Sequence, residues 1–187
     1  MSGKMNINIK EIVVSALALA IISGVANAAL AGTNAMTKDT IAQANQKAET
    51  ESRRQVIDAD SFEKGILNND EQQVVYYSAK KDDNIVGYVF TVSSTGKSSG
   101  LVVMTGISVD GGITGVTVTD DNETAGYVDM IQEGGLFDGF IGKNTSQEFS
   151  IGKNIDAVSQ ATKTSKGVTQ GVNQAVEYFN RINKGGQ

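Results

Sequence analysis

Residues 156–165, Asp156-Ala157-Val158-Ser159-Gln160-Ala161-Thr162-Lys163-Thr164-Ser165, stand directly ahead of a segment whose apolar residues recur at spacings of three and four. Val168, Val172, Ala175, Val176, Phe179 and Ile182 make one apolar helix face. Ser159, Thr162, Thr164 and Ser165 crowd the start of that helix. A hydroxyl there can cap the unpaired N–H groups of the first turn. The same N–H groups, with the positive end of the helix dipole, also favour an anion and above all a phosphate. The residues alone leave two readings open. One is an ordinary capped helix, which composition favours; the other is a helix start that holds a phosphate.

Composition narrows the chemistry around this helix. The chain of 187 residues suits one domain of moderate size with an appendage. It has no cysteine, which excludes disulfides, thiolate nucleophiles and iron–sulfur clusters held by this chain's own cysteines. It has no histidine, which excludes imidazole-dependent triads and the usual zinc sites. With no proline, turns rest on the 21 glycines and on Asn and Asp. The net charge of −5 argues against nucleic acid as a partner.

Upstream of the helix, the segments rich in Val, Ile, Tyr and Thr predict strands over 73–79, 85–92, 101–109 and 113–119. Asp82-Asp83-Asn84 and Asp110-Gly111-Gly112 read as turns between them. Residues 93–100 read as an exposed Ser/Gly loop. Its Gly96-Lys97-Ser98 resembles part of a P-loop, but Thr91 stands where that motif needs glycine. Asp120-Asp121-Asn122-Glu123 follows the last strand as a solvated turn, since its spacing is not that of an EF-hand. Val128 to Gly142 reads as a short helix and turn anchored by Met130, Ile131, Leu136, Phe137, Phe140 and Ile141.

At the other end, Ile12 to Thr37 carries no charge, and Lys4 and Lys10 precede it. A bilayer core takes roughly 20 apolar residues. The expectation is therefore a single-pass anchor with a cytoplasmic N-terminus and an extracytoplasmic domain. A cleaved signal peptide ending near Ala26-Asn27-Ala28 is the alternative. Residues 37–57 read as a polar juxtamembrane helix or linker.

The stretch 156–162 resembles the flavinylation motif of the FMN-binding domain family. Asp156, Ala157, Val158, Ser159, Ala161 and Thr162 fall on that pattern, and Gln160 replaces its glycine. The resemblance implies a covalent FMN, joined by a phosphoester to Thr162, with Asp156, Ser159 and Ala161 around the attachment. Glu123, Thr124 and Gly126 match the Glu-Thr-Pro-Gly stretch of the same family, with Ala125 in place of the proline, and are implied to help form the flavin pocket.

Within that family the chain is similar to the G subunits of Rnf electron-transport complexes, and next to the C subunits of sodium-pumping NADH:quinone oxidoreductases. The implied fold is α+β. A transmembrane anchor (1–36) and a juxtamembrane helix or linker (37–60) lead to an FMN-binding domain (61–187) with a mostly antiparallel sheet and packed helices. The implied role is an electron-carrying subunit of an ion-translocating ferredoxin:NAD oxidoreductase, a redox subunit rather than a stand-alone enzyme, with sodium or proton as coupling ion. The implied partners are membrane and iron–sulfur subunits and a maturing flavin transferase. Another exported flavin carrier, or an exported binding or structural module without flavin, are the alternatives.

Overall fold

In the computed structural model, residues 9–69, 72–97, 99–120 and 126–185 are described. The chain divides between Lys47 and Ala48 into two units. Helix α1, Ile9–Val56, accounts for the described part of the first unit and runs on into the second. Its extent includes the polar segment 37–56, where Ala, Gln, Glu and Lys favour a helix.

The anchor expected at the N-terminus needs correction. Among the described residues, no helix is long and apolar enough to cross a membrane. The strongly apolar run, Ile12 to Ile22, is about half of the roughly 20 residues a bilayer core takes, and Ser23, Gly24 and Asn27 interrupt the residues after it. A stretch of that length in a helix is insufficient by itself to span. The single-pass placement, with its cytoplasmic stub and extracytoplasmic domain, rested on that span and falls with it.

The second unit is α+β. Five strands, β1 (Ser61–Asn69), β2 (Gln72–Lys81), β3 (Asn84–Thr95), β4 (Ser99–Ser108) and β5 (Ile113–Asp120), pair in chain order. Every pairing is antiparallel. The expected strands are β2 to β5, and β1 is an additional edge strand. Asp82 and Asp83, with φ of 49° and 61°, form the tight β2–β3 turn whose twist suits a hairpin. At the β4–β5 turn the Ser108 hydroxyl donates to Asp110 and accepts from the Gly112 N–H. Helix α2 (Tyr127–Glu133), a 3-10 turn (Asp138–Phe140) and helix α3 (Thr162–Gly185) complete the chain.

Alternation along the strands sends side chains to two faces. Phe90, Val92, Leu101, Val103, Ile107 and Ile113 face α3, where Val168, Val172, Ala175 and Phe179 meet them. Burying each such side chain stabilises the fold by about 1.5–3 kcal/mol. Leu136, Phe137 and Phe140 join this core as expected, but Ile141 is 51% exposed. The end of α1 covers part of the other face through Val56, Ile57 and Ala59, packed with Ala79, Val89 and Met104. A β-carbon on Gly106 would lie 2.3 Å from the Val56 carbonyl oxygen, so only glycine admits that approach. Buried Arg53 adds a cation–π contact 3.6 Å from the Tyr77 ring centroid.

Candidate functional site at the start of α3

The chain enters α3 through a turn that its own side chains hold. The Ala161 N–H donates to the Val158 carbonyl at 3.1 Å. The Ala161 carbonyl in turn accepts the Ser165 N–H at 2.9 Å, which is the first bond of the helix. The Ser165 hydroxyl donates to the same carbonyl at 3.0 Å and accepts from the Val158 N–H at 3.3 Å. It therefore staples the turn to the first helical loop. Gln160 sits at φ 67°, in the left-handed region where glycine is at ease and a residue with a β-carbon is strained.

This turn sorts the hydroxyls. Thr164 and Ser165 are fully buried, at 0% exposure. Thr162, the first residue of α3, and Ser159 are exposed, as are Lys163 and Lys166. The first turn of α3 holds no acidic residue, so nothing there opposes an anion at the positive end of the dipole. Ala161 is a buried anchor, and Asp156 is exposed ahead of the turn.

Two other elements reach this end of α3. The β3–β4 hairpin is tighter than the expected 93–100 loop, with β3 running to Thr95 and β4 beginning at Ser99. Its tip meets α3 backbone to backbone. A β-carbon on Gly167 would lie 2.8 Å from both the Thr95 carbonyl oxygen and the Gly96 Cα. The next residue, Lys97, donates from Nζ to the Tyr127 hydroxyl at 2.6 Å and lies 4.0 Å from that ring's centroid. Tyr127 opens α2, and Gly126, at φ 86° and exposed, precedes it. The far end of α2 returns to the turn, where a β-carbon on Gly134 would strike Val158. The hairpin tip, α2 and the turn before α3 are thus joined by direct contacts.

Of the residues singled out in the sequence, the structure brings Ser159, Ala161 and Thr162 into one turn and places Gly126 at the α2 start. Glu123 and Thr124 lie outside the described residues. The P-loop resemblance at Gly96-Lys97-Ser98 carries no weight, because strand β4 and not a helix comes after it. The contact between Lys97 and Tyr127 and the close backbone approach at Gly167 escaped the sequence reading. Among the described residues no group of three or more His, Cys, Asp or Glu side chains could hold a metal ion. A groove of about 590 Å³ lies further along α3, between residues 145–148 and Gln170 to Asn180, and does not include Thr162.

An exposed Thr162 hydroxyl at a first helical turn without acidic residues is compatible with a phosphate-bearing group. Residues 96–177 match the FMN-binding domain family, and residues 1–56 match the RnfG N-terminal region. The chain is 32% identical to the G subunit of the Na(+)-translocating ferredoxin:NAD(+) oxidoreductase complex of Acetobacterium woodii, over 97% of this chain and 98% of the relative. It is 31% identical to the G subunit of the ion-translocating oxidoreductase complex of Methanosarcina acetivorans, over 90% and 95%. Similarity to the G subunit of the proton-translocating ferredoxin:NAD(+) oxidoreductase complex of Clostridium ljungdahlii is 28% identity over 76% and 77%.

Proposed function

The chain belongs to the family of G subunits of Rnf ion-translocating oxidoreductase complexes, and we propose that it carries FMN covalently on Thr162 as an electron-transferring subunit of such a complex. Family membership supports the coarser part: a subunit of an ion-translocating ferredoxin:NAD oxidoreductase, with an FMN-binding domain and other subunits as partners. The covalent linkage rests on the site. When bound, FMN supplies the electron-accepting and electron-donating chemistry; the protein positions it and sets its surroundings.

The observation that carries the linkage is the sorting of hydroxyls at the start of α3. Thr162 is exposed at the first helical position, while Thr164 and Ser165 are buried and Ser165 is bonded into the turn. Ser159 is exposed but precedes the helix. Thr162 therefore offers its Oγ where first-turn N–H groups can receive the phosphate oxygens. In the attachment step the Thr162 Oγ–P bond forms, the pyrophosphate P–O bond of FAD breaks, AMP leaves and the hydroxyl proton is lost. A flavin transferase would catalyse this step, with FAD as donor. Glu123, Thr124 and Gly126 would line the flavin, and Asp156 would stand beside the attachment.

The test is made with the transferase present. Denatured wild-type protein on a gel should fluoresce as a flavin, Thr162→Ala should be dark, and Thr164→Ala should stay bright. Fluorescence retained by Thr162→Ala would refute the assignment, and a dark wild type would favour a module that has lost its flavin.

A further inference from the structure

We infer that the groove along α3 seats a short extended segment of a partner subunit, with a lysine or arginine of that segment set against Glu148. The inference rests on the chain being a subunit of a multi-subunit complex and is independent of the attachment at Thr162. Gln170, Asn173, Gln174 and Glu177 recur at spacings of three, one and three. They form a polar stripe beside the apolar face of Val168, Val172, Ala175 and Phe179. Residues 145–148 form the opposite wall of the groove. From Gln170 to Asn180 the helix advances about 15 Å. An extended chain covers that distance with about four or five residues.

The chain's own hydrogen bonds fix both walls. The Phe149 N–H donates to Asn173 Oδ1 at 2.9 Å, and Asn173 Nδ2 donates to the Phe149 carbonyl at 2.8 Å. Asn173 thus holds the end of the 145–149 segment to α3 as a paired strand would. The Thr145 N–H donates to the Gly111 carbonyl at 2.8 Å, which ties the other end to the β4–β5 turn. A groove formed in advance spares its occupant the cost of ordering it. The lining selects the occupant. Small-molecule pockets enclose their ligand in mostly apolar walls, whereas this groove is open and lined largely by carboxamides. A carboxamide both donates and accepts, which is what the N–H and C=O groups of an extended peptide require. Charge adds the basic residue. Glu148 and Glu177 line the groove, and no lysine or arginine does. Glu177 is paired with Arg181 of α3 at 2.7 Å. Among the described residues, exposed Glu148 makes no ion pair.

The experiment uses the assembled complex, purified through a tag on the full chain, with Gln170→p-benzoylphenylalanine or Ser146→p-benzoylphenylalanine. Irradiation should join both positions to one segment of another subunit, and that segment should carry a lysine or arginine. Glu148→Lys should weaken retention of that subunit by about tenfold at low salt. Reversing the charge of the cross-linked basic residue should restore it. Glu148 is exposed, so the variant should keep the wild-type unfolding midpoint. An assembled complex with no cross-link from either position, a cross-linked segment without a basic residue, or wild-type retention in Glu148→Lys would overturn this inference alone. A tagged chain that brings down no other subunit would overturn the reading as a complex subunit, and this inference with it.

Discussion

Replacing Gln160 by glycine tests the turn that presents Thr162. Gln160 holds φ at 67° and is exposed, so its side chain meets little to offset the strain. A residue with a β-carbon in the left-handed region is disfavoured by roughly 1–2 kcal/mol relative to glycine. Glycine gives back about 0.4–1 kcal/mol through the larger freedom of its unfolded chain. The net expectation for Gln160→Gly is stabilisation by roughly 0.5–1 kcal/mol, which raises the unfolding midpoint by about 1–4 °C for a chain of this size. Thermal unfolding followed by circular dichroism measures this directly. Flavin occupancy, read as the ratio of flavin to protein absorbance after coexpression with a transferase, should rise, because the turn then reaches the acceptor geometry without strain. Gln160→Ala keeps the β-carbon and the strain, and should gain nothing. A lower midpoint or lower occupancy in Gln160→Gly would show that the glutamine side chain makes a stabilising contact, and would refute the argument from backbone conformation.

Two more outcomes are expected from packing and charge. Gly106→Ala drives a β-carbon to 2.3 Å from the Val56 carbonyl oxygen, where backbone cannot yield cheaply; denaturant unfolding should register a loss of about 1–3 kcal/mol. The Lys80 ammonium, which bonds Glu63 at 2.5 Å, holds the Glu63 carboxyl below its ordinary pKa. A lowered folded pKa means that the stabilisation is complete above the ordinary glutamate value of about 4.3 and is lost as pH falls through the folded value. The difference in unfolding midpoint between wild type and Glu63→Gln should accordingly be small at neutral pH, as an exposed pair requires, and vanish in acid and in high salt; a difference that persists in acid would refute it.

How much of this is legible in the sequence differs from element to element, for physical reasons. Strands β2 to β5 carry apolar residues that must enter a core, so their composition announces them. β1 pairs along its whole length with β2 but lies at the sheet edge. Phe62 and Ile66 stand among Glu63, Lys64 and Gly65, and Ile66 remains 55% exposed, so no strong alternation is required of it. The ends of β3 and β4 are hidden in a Ser/Gly loop because backbone pairing such as Thr95 with Ser99 makes no demand on side chains. The burial of Thr164 and Ser165 can be read, since they precede Val168 by four and three residues and so share its face. The Lys97–Tyr127 contact cannot. It joins residues thirty apart across a hairpin and a helix start, and no local pattern records it. The positive φ of Gln160 is visible only indirectly, as the place where the resembling family keeps glycine.

Strand β4 packs against helix backbone on both of its faces. On one face, Val103 meets the backbone of α3 at Gly171, where a β-carbon would lie 2.8 Å from its side chain. On the other, three residues along the same strand, Gly106 receives the Val56 backbone, and Thr114 of the adjoining β5 donates its hydroxyl to the Val56 carbonyl at 2.6 Å. The end of α1 and the body of α3 are therefore clamped to opposite sides of one strand pair. Close-packed contacts of this kind resist sliding, because any shift opens voids or forces atoms together. A cofactor fixed to the first residue of α3 would inherit that constraint, its attachment atom keeping one distance from the last turn of α1. For an electron carrier such placement would be one part of the protein's contribution, which is to hold the cofactor's reactive atoms where their partners can reach them and to set their surroundings.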